Sequence, residues 1–444
     1  MTIQANLMRE ARESPRMSML THPWRKLCLS AVRRLRFGAL EATLPDGQHL
    51  SIQGPEPGPS GQITVTHPNF FRRLLTHGAL GFGEMYMDGW WTTSDLDNLL
   101  DVFLANSTGL THQFSGRRSF LFAGRLRHFL NRNTRRGARR NIAHHYDLGN
   151  EFYAQWLDGT MTYSSALFTE DAASLESAQA NKNESICRML GLAPGDRVLE
   201  IGCGWGGFAA HAIRNHGVEV TGITLSREQL RHARAHLRGM GLDDQAEILL
   251  CDYRDVTGEY DKIVSIEMIE AVGERYWPDF FTTIRKRLRP GGTAVIQAIT
   301  ISDAAFDGYR SGTDFMQKYI FPGGMLPSPG AIAMHTQQAG LQVGMTHAFP
   351  ESYDRTLCIW RQRFNNTWDS IRSLGFDQRF RRMWNYYLAG SAAVFRAGIT
   401  SVTQMTFHKP GESGIRSRQD ALSSVRDAEP STRSQSSAQL YSSA

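Results

Sequence analysis

Apolar residues recur along this chain with two different periods, and the switches between them mark its organisation. From Phe37 to Val65 the segment "FGALEATLPDGQHLSIQGPEPGPSGQITV" alternates over short stretches broken by Pro and Gly. That pattern predicts a small antiparallel sheet with hairpins. The stretch "SDLDNLLDVFLAN" then carries apolar residues at helical spacing behind Ser94 as its cap. Together these give a small N-terminal α+β domain over residues 31–112, after a loose segment, 1–30, without clear periodicity. Over residues 143–408 helical and strand signals alternate, as an open α/β sheet requires. The remainder, 409–444, has ten serines between Gly411 and Ala444 and little apolar sequence, and reads as a disordered tail.

Length and charge refine this picture. A chain of 444 residues exceeds one ordinary core, which agrees with two domains plus a tail. The formal net charge of +6 favours an anionic partner, a nucleic acid or a phospholipid surface. Between Gly116 and Arg140 there are nine arginines and no acid, interleaved with Phe120, Leu121, Phe122, Leu126, Phe129 and Leu130. This basic linker, 113–142, reads equally as a segment lying on anionic headgroups or as a solvated connector. Cys28, Cys187, Cys203, Cys251 and Cys358 show neither CxxC spacing nor a Cys/His ligand pattern, which argues against a disulfide framework and a structural zinc site. His144 and His145 have no further ligands at useful spacing, so no metal is expected. No uncharged apolar run approaches the roughly 18 residues of a membrane span, and the first residues mix acids with bases. The expectation is a cytoplasmic protein.

The chemistry concentrates in "DRVLEIGCGWGGFAAHAI". An apolar strand, Val198 to Ile201, turns through Gly202, Gly204, Gly206 and Gly207 into a helix. Such a turn lets a ligand approach the backbone at the carboxyl end of the first strand of a doubly wound sheet. Glu200 precedes the first glycine. A second strand ends at Thr224 and Leu225, where a dinucleotide enzyme would place an acid for the ribose, and Gln229 follows one turn later. A third strand ends at Asp252, positioned to accept from an adenine amino group. This order resembles the class I S-adenosylmethionine-dependent methyltransferases and fits a nicotinamide enzyme less well. The fourth strand runs into "VSIEMIEAVG", which places Glu267 and Glu270 three residues apart where the apolar sequence ends.

Longer motifs narrow the class. "HYDLGNEFYAQWLDGTMTYSSALF", "VLEIGCGWGG", "GITLSREQ", "IEMIEAVGERYWPDFF", "YIFPGGMLPS" and "YDRTLCIW" occur in one order over about 260 residues from Ala143. Together they resemble the cyclopropane-fatty-acyl-phospholipid synthase family. The N-terminal part, with "GFGEMYMDGWW", looks like the smaller lipid-binding-like domain of its phospholipid-acting members. The resemblance implies a Rossmann-like class I methyltransferase domain behind a smaller α+β domain. It also implies transfer of the S-adenosylmethionine methyl to a cis double bond of an acyl chain in an unsaturated phospholipid, with loss of a proton and closure to a cyclopropane. Peripheral association with the anionic inner membrane surface follows, and a homodimer is compatible with it.

Carried over motif by motif, Tyr163 and Ser164 meet the methionine end of the cofactor, with Gly202 and Gly204 beneath it. Thr224 and Gln229 hold the ribose, and Asp252 with Tyr253 borders the adenine. His145 and Tyr146 belong to a segment that closes over the cofactor as a lid. Tyr319, Phe321, Tyr353, Trp360 and Phe364 lie in motifs that either line the acyl pocket, where aromatic faces would stabilise a cation, or are plain core.

The chain departs from the family's base site, in which a bicarbonate is held by a Cys, a Glu, a His, a backbone carbonyl and a Tyr. Glu270 and Tyr353 stand at matching places and Ile299 would supply the carbonyl. Ser165 replaces the Cys and Gln297 the His, which puts a bicarbonate site in doubt, and Ser391 replaces a cysteine near the C-terminus. Glu267 stands where the bicarbonate-binding pattern has a glycine. Its carboxylate is expected in the space of the bicarbonate, oriented by Tyr353, Ser165 and Gln297. The competing reading is a cap for the next helix or a contact to the cofactor's amino group. Three functions remain: cyclopropanation, the same methyl transfer ending in a methylene- or methyl-branched chain, and lipid binding without turnover. The complete cofactor loop argues against the last. Nucleic-acid methylation has charge in its favour but no base-reading motif.

Overall fold

The structure, a computed structural model, describes residues 22–107, 148–171 and 174–411. The basic linker, the lid residues His144, His145 and Tyr146, and the tail beyond 411 lie outside the described residues.

The first unit opens with helix α1, His22–Val32, within the stretch that lacks sequence periodicity. Its Cys28 is buried among the apolar residues of the unit, which explains why the helix forms there. Strands β1 (Phe37–Thr43), β2 (His49–Gln53) and β3 (Glu56–Val65) follow, then α2 (Phe70–Met87), β4 (Trp91–Thr92) and α3 (Leu96–Ala105). The sheet order is β2-β1-β3-β4. It is mixed rather than antiparallel, because β1 pairs parallel with β3. Alternation of apolar residues fixes which side chains face inward but carries no information on strand direction. The cap of α3 is Asp95, whose carboxylate accepts from the Asn98 amide at 3.1 Å, one residue beyond the predicted Ser94.

The second unit begins its regular core with α4 (Leu175–Leu190), β5 (Arg197–Ile201), α5 (Gly207–His216), β6 (Glu219–Thr224), α6 (Arg227–Gly239) and β7 (Ala246–Leu250). It continues with β8 (Tyr260–Ile266), the one-turn helix α7 (Ile269–Val272), α8 (Trp277–Arg287), β9 (Leu288–Ile301), β10 (Gln342–Ala348), α9 (Pro350–Asn366), α10 (Gln378–Arg396) and β11 (Thr400–His408). The seven strands are ordered β10-β11-β9-β8-β5-β6-β7; β5 to β9 are parallel, β11 runs antiparallel to both of its neighbours, and β10 therefore shares the direction of β9. The order reverses at β5, so the crevice beyond its carboxyl end is the place for a ligand.

Helix α10 joins the units. Its Trp384 and Tyr387 are buried in the second unit, while Tyr386, Ala389 and Ala393 pack into the core of the first. Beside it, buried Glu84 of α2 accepts from Tyr319 at 2.9 Å and from Arg73 at 2.8 Å, and pairs with Lys318. Burial alone would raise the Glu84 carboxyl. The hydrogen bonds from Lys318, Arg73 and Tyr319 outweigh it and hold the group down at about 2.

Candidate active site

Two cavities meet behind the carboxyl ends of β5 and β8. The smaller is lined by Tyr163, Ser164, Lys182, Glu200, Gly202, Gly204, Thr224, Gln229, Tyr253 and Glu267. The loop after β5 needs its glycines: Gly202 has φ +86°, and a Cβ there would come within 2.9 Å of Met268 Cγ. Gly204, at φ +52°, has nothing within 4 Å of a Cβ position, so its missing side chain leaves open space for a ligand. Thr224 donates to Gln229 Oε1 at 2.7 Å, and Ser226 caps α6 by accepting from the Gln229 amide at 3.2 Å. Glu200 Oε2 and the Tyr253 hydroxyl are buried without a hydrogen-bond partner among the described residues. Unsatisfied polar atoms facing a cradle of glycines fit a polar cofactor. Asp252 is placed differently from the expectation: its carboxylate is held by Arg254 at 2.6 and 2.8 Å, and its neighbours Cys251 and Tyr253 line the cavity instead.

The larger cavity, about 890 Å³, is predominantly apolar and runs from the first unit (Leu40, Ala42, Ile63, Val65, Phe82) to the catalytic one (Glu270, Ile299, Phe321, Tyr353, Tyr387). Ser391 lies on its wall. Of the expected aromatic lining, Phe321 and Tyr353 are present. Tyr319 turns its hydroxyl to Glu84, and Trp360 and Phe364 are core, Trp360 lying 5.3 Å from the Tyr163 ring.

Glu267 lines both cavities. Its carboxylate accepts from the Ser165 amide at 2.8 Å, from Gln297 Nε2 at 2.8 Å and from the Tyr353 hydroxyl at 2.6 Å. Gln297 is in turn fixed by Gln404 at 3.0 Å, which accepts from Ser185 at 2.6 Å. Ser165 acts through its backbone, since its hydroxyl donates to the Ala166 carbonyl. The Glu267 backbone sits at φ +49°, a left-handed conformation that glycine adopts at little cost and glutamate does not. Glu270, on the first turn of α7, accepts from the Ile299 amide at 2.5 Å, so Ile299 contributes its N–H, while Glu270 Oε2 is buried and unpartnered among the described residues.

Burial raises both carboxyls, but the neighbours separate them. Glu267 is stabilised as an anion by three donors and the charge of Lys182, whereas Glu270 is raised to about 8 by burial and by the Glu267 charge. Of the two, Glu270 is therefore the carboxyl that holds its proton more readily, and Glu267 the one whose anion the surroundings favour. Lys182, fully buried and lowered to about 8 by burial, donates to the Ser164 hydroxyl at 3.2 Å. Sequence reading missed Lys182, Gln404 and Tyr387, whose hydroxyl lies 2.7 Å from that of Tyr163. The available signal was Lys182 sharing the apolar stripe of Leu175, Ala178 and Ile186 on α4.

The sheet order and the glycine-lined cavity at its switch point define a class I S-adenosylmethionine-dependent methyltransferase. The chain belongs to the mycolic acid cyclopropane synthetase family, whose pattern it matches over residues 133–405. It is 43% identical over 348 residues to the tuberculostearic acid methyltransferase UfaA1 of Mycobacterium tuberculosis, covering 77% of this chain and 81% of that one. It is 38% identical over 371 residues to the cyclopropane-fatty-acyl-phospholipid synthase of Escherichia coli, covering 83% and 92%. Among solved structures it resembles the mycolic acid cyclopropane synthase CmaA1 complexed with SAH and CTAB, with a TM-score of 0.58 at 29% identity, over 61% of this chain and 98% of that one. The enzyme class and the cofactor inferred from the motifs agree with these relatives.

Proposed function

We propose that the protein methylates a cis double bond in the acyl chain of an unsaturated phospholipid and closes it to a cyclopropane, with Glu267 as a built-in base in place of bicarbonate. The observation that carries this reading is the position of the Glu267 carboxylate at the junction of a polar and an apolar cavity, held by three donors. Gly202 and Gly204 would cradle S-adenosylmethionine, which would supply an electrophilic methyl; its addition to one alkene carbon would leave a cation on the other. Glu267 takes a proton from the added methyl, and the electrons of that C–H bond close the ring. The ionised carboxylate is also a counter-charge to the cation, while the faces of Phe321 and Tyr353 add stabilisation without a trapping nucleophile. Tyr353, Gln297 and the Ser165 amide fix the carboxylate so that it need not reorganise during transfer.

A second reading has its own support: the changed base site, together with the similarity to a tuberculostearic acid methyltransferase. The same cation, after a hydride shift, loses the methyl proton to give a methylene chain, which a reductant would convert to a methyl branch. Purified protein incubated with methyl-labelled S-adenosylmethionine and unsaturated phospholipid vesicles, with and without bicarbonate, decides by NMR of the acyl products. A cyclopropane signal indifferent to bicarbonate supports the first reading, and an exomethylene signal the second. Absence of label from lipid overturns both.

A further inference from the structure

We propose that the protein carries a zinc site, remote from the reacting atoms, built from Cys187 and Glu184 of α4 and His211 and His216 of α5. In sequence these residues form no contiguous pattern, but the packing of α4 on α5 draws them together. Cys187 Sγ and one ring nitrogen from each histidine lie within 4.8 Å of one another. Glu184 Oε2 is 3.0 Å from His216 Nε2 and 3.3 Å from His211 Nε2. Tetrahedral zinc, with bonds of about 2.0–2.3 Å, requires ligand separations of roughly 3.3–3.8 Å. Glu184 Oε2 is already about that far from both imidazoles, and the set is completed by drawing in the Cys187 and histidine atoms that lie within 4.8 Å of one another.

The donor set suits a borderline-soft divalent ion, combining one thiolate, two imidazoles and one carboxylate. The histidines and Glu184 are partly exposed, which gives the ion a way in, while Cys187 is fully buried at the base. Ligation through the Cys187 thiolate releases its proton, so metal binding should tighten as pH rises. The ion would fasten the helix that carries Lys182 to the helix that begins at the cofactor loop.

The test uses full-length protein stripped with chelator and titrated with cobalt(II), then zinc. The expected result is one equivalent of cobalt with a thiolate-to-metal charge-transfer band, displaced by zinc, together with a zinc-dependent rise in Tm. Cys187→Ser removes the band. His216→Ala, at a partly exposed position, weakens binding at least tenfold while S-adenosylmethionine binding persists as the folding control. No saturable band, or a band that survives Cys187→Ser, overturns the proposal and leaves the cluster as a Glu184–histidine ion-pair group beside a core thiol.

Discussion

At the scale of single residues, the site gives two carboxylates three positions apart different surroundings. Glu267→Gln keeps the shape but removes the proton acceptor, and turnover is expected to fall by about 10²- to 10⁴-fold, the usual contribution of a general base. Glu270→Gln mimics the protonated acid that the geometry favours, so labelled-methyl transfer at pH 7 should stay within a few-fold of the parent. If instead the two variants lose activity equally, the assignment of ionisation states is wrong. Acidification tests the same point: the Glu267 carboxyl is raised by burial, so kcat/KM declines as pH falls at values above the ordinary carboxylate range, and Glu267→Gln lacks that limb. The backbone offers a further check. Glu267→Gly suits φ +49° and empties the carboxylate's place, so its loss of turnover should be partly reversed by added bicarbonate.

At the scale of elements, the β5 loop was legible because its glycines answer a backbone requirement that few other residues meet. Gly202→Ala would force φ +86° on a residue with a Cβ and press it against Met268, and cofactor affinity measured by calorimetry is expected to drop at least tenfold. That Thr224 and Gln229 line the cavity was legible from the same order of strands. Asp252 was not, because its partner Arg254 lies only two residues on and diverts the carboxylate through local geometry that spacing does not encode. Lys182 escaped notice because a lysine in an amphipathic helix ordinarily faces water, and only the packing of α4 on the sheet buries it. The parallel pairing of β1 with β3 was hidden for a similar reason, since direction depends on how the chain returns and not on its alternation.

At the scale of the molecule, the two units are joined by α10 and by the ion-pair group around Glu84. The folded Glu84 carboxyl lies below its unfolded value, so the stability it contributes is present above about pH 4.5 and is lost as pH falls toward about 2. Glu84→Gln should therefore lower Tm at pH 7, by on the order of 2 kcal/mol of stability, and the gap to the parent should narrow in acid. Among the described residues no helix is long and apolar enough to cross a membrane, and the apolar cavity lies between the two units. Its wall is contributed by both sheets. On the proposed function, an acyl chain lying along it would act as a tie rod between the units: it would bind only when they are assembled, and by mass action would resist their separation. The substrate would in that sense be a temporary part of the enzyme's core, and each product release would leave the two halves more loosely joined until the next chain is seated.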